Sequence, residues 1–83
     1  MQVAIVDDTQ LNVVLLQHLV KRLPECEPVC FTDAELALGW CLDHSPDLLV
    51  VDYMMPKLSG IEFVQRFRAG HPDVPVLMVT ANV

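Results

Sequence analysis

Acidic or hydroxyl side chains stand where three apolar runs of this sequence end: Asp7 and Asp8 after the run 3–6, Asp52 after 48–51, and Thr80 after 76–79. Short apolar runs bounded by polar residues are typical of strands buried on both faces, as in parallel sheets. The functional crevice of such a sheet lies beyond the carboxyl ends of its strands. The pattern therefore predicts one pocket with three carboxylates and one hydroxyl, which would bind a cation or carry out acid–base or phosphoryl chemistry.

Asp7, Asp8 and Asp52 form a donor set suited to a hard divalent cation. Carboxylates held close together either raise one another's pKa or recruit such a cation. Mg²⁺ fits best, because it takes one or two carboxylates and keeps waters that phosphoryl oxygens can replace. An aspartate beside it can attack phosphorus and form an acyl phosphate. The Thr80 hydroxyl could donate to a phosphoryl oxygen, although threonine is also a common strand residue.

Simpler interpretations exist for some of these residues. Asp8 or Thr9 could cap the helix that follows them. Asp52 has few alternatives, because an isolated carboxylate at the end of a buried strand is costly. The three cysteines are expected to be buried or half-buried thiols. Zinc binding by Cys26, Cys30 and a histidine is the competing interpretation, and it lacks the spacing of a metal site.

The elements that must position the carboxylates alternate along the chain. Strands are predicted at 2–6, 28–31, 47–52 and 76–80, and helices at 10–22, 34–43 and 60–69. This order predicts an α/β domain with a parallel sheet and right-handed crossovers. Thr32 or Asp33 should cap the start of the second helix. Ser59 stands three residues before Glu62 and should cap the start of the third helix. Gly70 is the expected C-terminal cap of the third helix.

Apolar spacing also predicts which side of each helix is apolar. The residues at helical spacing are Leu11, Val14, Leu15, Leu19 and Leu23 in the first helix, Leu36, Ala37, Trp40 and Cys41 in the second, and Ile61, Val64 and Phe67 in the third. Three helices do not cover both faces of four apolar strands. We therefore expect a further helix, strand and helix to complete the fold, and self-association of the chain through the open edge of the fourth strand.

Composition narrows the classes of partner. The 83 residues carry a net charge of −6, and 53% of them are hydrophobic. Five basic residues scattered along the chain do not make the cationic patch that direct nucleic-acid binding needs. The longest apolar runs are far below the roughly 18 residues of a membrane span, and no secretory signal is recognisable. We expect a cytoplasmic domain that binds neither nucleic acid nor membrane.

The sequence resembles the receiver domain of two-component response regulators. The resemblance is carried by Val6-Asp7-Asp8, by Val51-Asp52-Tyr53-Met54-Met55-Pro56, by Ser59-Gly60-Ile61-Glu62-Phe63 and by Val79-Thr80-Ala81, in this order. It covers the whole chain and implies a flavodoxin-like fold with strand order 2-1-3-4, without the family's final helix, strand and helix. The segment 52–56 is similar to receivers attached to HD-GYP-type cyclic-dinucleotide phosphodiesterases.

The resemblance implies a role for each matching residue. Asp52 would be the phospho-acceptor, and Asp7, Asp8, Asp52 and the Met54 backbone carbonyl would hold Mg²⁺. Thr80 would be the switch hydroxyl, Ala81 would leave room at the site, and Pro56 and Gly60 would shape the loop and the next helix. The donor would be a sensor histidine kinase or a histidine phosphotransfer protein, docked over the first helix near Leu11 and Asn12. The family's lysine and aromatic switch residue belong to a fifth strand beyond this sequence.

Other interpretations of the same sequence remain open. A haloacid-dehalogenase-type phosphatase also uses an aspartate after a strand, but it needs a second aspartate where this chain has Met54. A flavin or dinucleotide module needs a glycine-rich turn after the first strand, and residues 8–12 contain no glycine. The main alternative is a truncated or degenerate receiver that acts only through protein–protein contacts or self-association. We expect a regulatory domain rather than an enzyme.

Overall fold

Strands and helices alternate in the computed structural model, which describes residues 1–80. The elements are β1 (Gln2–Val6), α1 (Gln10–Lys21), β2 (Glu27–Phe31), α2 (Ala34–His44), β3 (Leu48–Asp52), α3 (Gly60–Gly70) and β4 (Val76–Val79). The strands form one parallel sheet in the order β2-β1-β3-β4. The predicted α/β class and strand order are confirmed, and each predicted element is present within two residues of its expected ends.

Two apolar clusters lie on opposite faces of the sheet, because successive residues of a strand point to opposite sides. On one face, Ala4, Val6, Leu49 and Val51 pack against α2 and α3. On the other face, Val3, Ile5 and Val50 pack against Val20 of α1. β1 and β3 are therefore central strands, buried on both sides. Within residues 1–80, no helix is long and apolar enough to cross a membrane.

The helix starts follow local chemistry. Asp33 caps α2 by accepting hydrogen bonds from the backbone N–H groups of Glu35 and Leu36. Ser59 caps α3 by accepting from Glu62 N–H at 3.2 Å, as its spacing predicted. Thr9 is the N-cap residue of α1, yet its side chain makes no capping bond. Neither Asp8 nor Thr9 therefore has the capping role considered for it.

The end of α3 differs from the prediction. Gly70 is the last helical residue rather than the cap, and His71 is the C-cap residue, with its N–H bonded to Phe67 O. The His71 ring packs against Phe67 and its Nε2 lies 2.9 Å from the Leu42 carbonyl oxygen. These contacts hold the chain at the helix end, and Pro72 follows, so no left-handed glycine is needed.

Helix faces were predicted only in part. In α1 the leucines at 11, 15 and 19 are exposed, as is Leu23 just after the helix, whereas Val13 and Val20 are buried. In α2 Ala37 and Cys41 are buried as expected, but Leu36 is exposed and Leu38 is buried instead. In α3 Phe67 is buried as expected, while Ile61 is 45% exposed and the buried partner of Phe67 is Phe63. A shift of one or two residues rotates a helix face by 100° or more, which the apolar pattern alone does not resolve.

Candidate functional site

The carboxyl ends of β1 and β3 bring the acidic residues together. Val6 is paired with Val51 across the two strands, so Asp7 and Asp52 leave the sheet side by side. One carboxylate oxygen from each of Asp7, Asp8 and Asp52 lies within 4.8 Å of the others. The predicted convergence of these residues is therefore seen in the geometry, and it follows from a parallel register that ends both strands at one level.

The three carboxylates differ in their exposure to water. Asp7 is 2% exposed and Asp52 is 6% exposed, whereas Asp8 lies on the surface. Asp7 Oδ1 accepts from the Thr9 N–H at 2.9 Å, and Asp52 Oδ1 accepts from the Met54 N–H at 3.3 Å. In both buried residues, the backbone N–H two residues further along the chain therefore holds one carboxylate oxygen in place. The orientation of the second oxygen is set by the same hydrogen bond.

Electrostatics at the site oppose a full negative charge on Asp52. Burial raises the pKa of the Asp52 carboxyl, and the nearby charges of Asp7 and Asp8 raise it further. The hydrogen bond from the Met54 N–H acts in the opposite direction on this pKa and is outweighed. A divalent cation bound between the carboxylates would relieve this repulsion.

The donor set and its spacing fit Mg²⁺. All three side chains offer hard oxygen ligands, and their mutual distances allow one ion to contact each of them. Among residues 1–80, no cysteine belongs to a group of three or more potential ligands that lie close enough to share one metal ion. Cys26, Cys30 and Cys41 are free thiols. The zinc interpretation is therefore wrong for the part of the chain that the structure describes.

The segment between β3 and α3 surrounds Asp52. Met55 and Leu58 are buried in the core and anchor this loop, while Met54 is exposed and uses only its backbone near the site. Pro56 and Lys57 are exposed and line a pocket of about 140 Å³ that also includes Asp8. Gly60 donates its N–H to the Tyr53 carbonyl at 3.0 Å, so the first turn of α3 lies directly against the end of β3.

The other side of the site is a groove between α1 and β4. A pocket of about 170 Å³ there is lined by Asp7, Asn12, Leu15, Leu16, Val79 and Thr80. Thr80 follows Val79, which is paired with Asp52 in the sheet, so the predicted hydroxyl lies at the same edge as the carboxylates. Leu11 is 67% exposed on α1. Ala81, predicted to leave room at the site, lies outside the described residues.

Tyr53 was not singled out from the sequence. It lines both the pocket beside Met54 and Ile61 and the pocket beside Met78 and Thr80. Its N–H pairs with Val79 O at 2.8 Å, so it ends the ladder between β3 and β4. No signal in the sequence identifies it, because its place in both pockets depends on packing that the local pattern does not encode.

Curated proteins similar to this chain are response regulators. The chain is 36% identical over 83 residues to the cyclic di-GMP phosphodiesterase response regulator RpfG of Xanthomonas campestris, with 96% of this chain and 22% of RpfG covered. It is 38% identical over 81 residues to the alkaline phosphatase synthesis transcriptional regulatory protein PhoP of Bacillus subtilis, covering 98% and 33%. The chain thus spans a third or less of these relatives, and the similarity concerns the part they share.

Solved structures agree in fold. The response regulator domain of Thermotoga maritima CheB superposes with a TM-score of 0.87 at 28% identity, over 98% of this chain and 60% of that one. The Vibrio cholerae chemotaxis protein CheY4 gives a TM-score of 0.87 at 26% identity, over 99% of this chain and 69% of that one.

Residues 3–83 match the response regulator receiver domain family. Receiver domains are regulatory modules that bind Mg²⁺ at an acidic pocket and are phosphorylated by histidine kinases or phosphotransfer proteins. The chain belongs to this family, the phospho-acceptor receiver domains of two-component response regulators.

Proposed function

We propose that Asp52 is the phospho-acceptor of this receiver, and that Asp7, Asp8, Asp52 and the Met54 carbonyl hold Mg²⁺. The observation that carries the proposal is the meeting of three carboxylates within 4.8 Å at the ends of β1 and β3. Asp52 is assigned as the acceptor because it precedes the exposed loop residues Tyr53 and Met54, and because burial and the neighbouring carboxylates raise its pKa. Mg²⁺ would offset the charge on the transferring phosphoryl group.

The reaction is a transfer between two nucleophiles. A carboxylate oxygen of Asp52 attacks the phosphorus of a phosphohistidine, the P–N bond breaks, and its electron pair returns to the imidazole of the donor. The product is an acyl phosphate on Asp52. Burial excludes bulk water from one side of this carboxylate, and the Met54 N–H fixes the orientation of its Oδ1. Thr80 donates its hydroxyl to the phosphoryl group.

The phosphoryl donor is a sensor histidine kinase or a histidine phosphotransfer protein that docks over α1. Leu11 offers an exposed apolar side chain on this helix, and Asn12 lines the groove that leads to Asp7 and Thr80. A donor histidine entering along this groove would meet Asp52 from the open side of the pocket. Phosphorylation of Asp52 changes the conformation of the receiver through β4, because Thr80 directly follows Val79, the residue of β4 that pairs with Asp52.

The test is labelling with a small phosphodonor such as phosphoramidate in the presence of Mg²⁺, read by intact-protein mass spectrometry. The unsubstituted chain should gain one phosphoryl group, and Asp52→Asn should gain none. Asp43→Asn is the matched control, because it removes an exposed carboxylate on α2 away from the site. Labelling of Asp52→Asn at the level of Asp43→Asn would refute the assignment of the acceptor.

A second candidate function is self-association through the edge of β4. Among the described strands, β2 is the other edge and carries Glu27 and Pro28, which discourage pairing with another chain. β4 has four apolar residues without a charge or a proline, and Leu77 is 55% exposed. Sedimentation should show concentration-dependent association that Leu77→Lys weakens. Leu36→Lys, which alters an exposed leucine on α2, should leave association unchanged; a monomer at all concentrations would exclude this function.

A further inference from the structure

Gly60, the first residue of α3, lies against the main chain of Asp52. A Cβ atom at this position would stand 2.4 Å from the Asp52 carbonyl oxygen and 2.9 Å from Tyr53 Cα. Real Cβ contacts essentially never fall below 3.0 Å, and both obstacles are backbone atoms, which have no rotamer by which to move away. The Gly60 N–H also donates to the Tyr53 carbonyl at 3.0 Å. Only glycine fits this contact without a shift of the chain.

The preferences of the helix itself do not explain this glycine. Glycine within a helix costs up to about 1 kcal/mol relative to alanine. Alanine at position 60 would therefore favour α3 if the helix alone decided. The other two glycines differ, since a Cβ atom at Gly39 would have nothing within 4 Å and one at Gly70 would meet only the flexible end of Leu42 at 3.2 Å. The close approach to the phospho-acceptor strand is specific to Gly60.

Besides the sheet ladder and the Met54 N–H, the contact with Gly60 helps to hold Asp52 in place. The last β3–β4 hydrogen bond joins Tyr53 N–H to Val79 O, and the next contact along the chain is that of Tyr53 with Gly60. Ordinary contact begins near 3.4 Å, so a Cβ at position 60 requires the two backbones to separate by about 1 Å. Where β3 rather than α3 yields to this separation, the Asp52 carboxylate moves relative to those of Asp7 and Asp8.

We propose that Gly60 is a positioning residue, whose missing side chain lets α3 clamp the main chain at Asp52 and keeps its carboxylate aligned with those of Asp7 and Asp8. This inference rests on the proposed Mg²⁺ and phosphoryl site. Residues that orient metal ligands without touching the metal contribute about 10- to 100-fold to metal affinity. Gly60 belongs to this class, because it acts through the backbone of a ligand.

The experiment compares Mg²⁺ affinity, by isothermal titration calorimetry, among folded variants at a temperature well below each unfolding midpoint. Gly60→Ala should bind Mg²⁺ about 10- to 100-fold more weakly than the unsubstituted chain. Gly70→Ala, in the same helix but against Leu42, should retain the affinity whatever it does to stability. A purely structural role for Gly60 would lower the unfolding midpoint and leave the affinity of the folded variant unchanged, which would overturn the inference.

A second measurement applies if Gly60→Ala does not fold. Amide hydrogen exchange of the unsubstituted chain should slow at Gly60 when Mg²⁺ binds, because ligation holds Asp52 and hence its contact with α3. Exchange at Gly70 should slow by no more than the general stabilisation of the fold by Mg²⁺ accounts for. Mg²⁺ binding that protects Gly60 no more than Gly70 would overturn the inference. A chain that binds no Mg²⁺ at all would instead refute the proposed function, and the inference would fall with it.

Discussion

At the scale of single residues, the site is a balance between burial and charge. Asp7 and Asp52 are both buried, and no lysine or arginine of residues 1–80 is among the groups that shift the pKa of Asp52. As a consequence, the pKa of Asp52 is raised by burial and by the charges of the neighbouring carboxylates. Such an arrangement costs stability in the absence of a cation, and natural sites accept this cost where charge is to be bound.

The substitution Asp52→Asn should stabilise the fold at neutral pH. The folded chain binds the Asp52 proton more tightly than the unfolded chain, so stability falls as pH rises from the ordinary value of 3.8 through the raised folded value. Asparagine keeps an acceptor for the Met54 N–H and removes the charge. We expect a gain on the order of 1 kcal/mol at neutral pH.

Urea denaturation across a pH series measures this gain. The difference between Asp52→Asn and the unsubstituted chain should shrink as pH falls through the raised folded pKa of Asp52 towards 3.8. It should be smallest below 3.8, where Asp52 is protonated in both the folded and the unfolded chain. Asp43→Asn is the control for the loss of one negative charge on the surface. Equal stability of Asp52→Asn and the unsubstituted chain at neutral pH would show that the Asp52 carboxylate is not under electrostatic strain.

Asp8 should contribute to the affinity for Mg²⁺ and contribute little to the stability of the fold. It is the exposed member of the group, and the N-cap residue of α1 is Thr9, so Asp8 contributes little to stability. Asp8→Asn should lower Mg²⁺ affinity at least tenfold, as expected for loss of a charged ligand, and change the free energy of unfolding by no more than about 0.5 kcal/mol. Calorimetric titration and denaturation of one preparation would decide this, and unchanged affinity would remove Asp8 from the site.

At the scale of elements, the sequence predicted strands better than helix faces. β1 and β3 are short apolar runs ending in aspartate, and their bounds were predicted to within one residue, because burial on two faces leaves no face to choose. Their position side by side was implied by the resemblance to receiver domains, and the sheet confirms it. A helix such as α3 has apolar residues on more than one side. Ile61 and Phe63 both satisfy an apolar pattern, and only the packing of α3 on the sheet selects Phe63.

The acidic site was predictable for the same reason. Asp7 and Asp52 are placed by strand ends, which a sequence shows directly, whereas Tyr53 and Leu15 reach the site through packing that no local pattern encodes. The leucines of α1 make the same point. Their regular spacing predicted the helix, yet the side facing the sheet is formed by Val13 and Val20.

A pair of substitutions in α3 tests which side of the helix is buried. Phe63 is 0% exposed and packs in the core with Phe67, so Phe63→Ala should cost about 3–5 kcal/mol. Ile61→Ala removes a side chain that is 45% exposed and should cost less, about 1 kcal/mol. The chemical denaturation midpoints of both variants supply the comparison. A larger loss for Ile61→Ala than for Phe63→Ala would mean that α3 is rotated relative to the fold described above.

At the scale of the whole molecule, the acidic site exists only when the chain is folded. Asp7 and Asp8 come from one end of the chain and Asp52 from its middle, and only the pairing of β1 with β3 brings them together. The unfolded chain has no such group of carboxylates. A cation that binds the folded chain alone must therefore stabilise it by mass action.

Mg²⁺ should raise the unfolding temperature by an amount fixed in advance by its measured dissociation constant. At ten times that constant, one site on the folded state contributes about 1.4 kcal/mol, which for a domain of this size is a shift of roughly 6–11 °C. Calorimetry supplies the constant and a thermal melt the shift, with sodium chloride of equal ionic strength as the control. Asp8→Asn should need a higher Mg²⁺ concentration for the same shift. A shift that is equal in Asp8→Asn and the unsubstituted chain would place the ion away from the carboxylates, because binding elsewhere does not depend on Asp8.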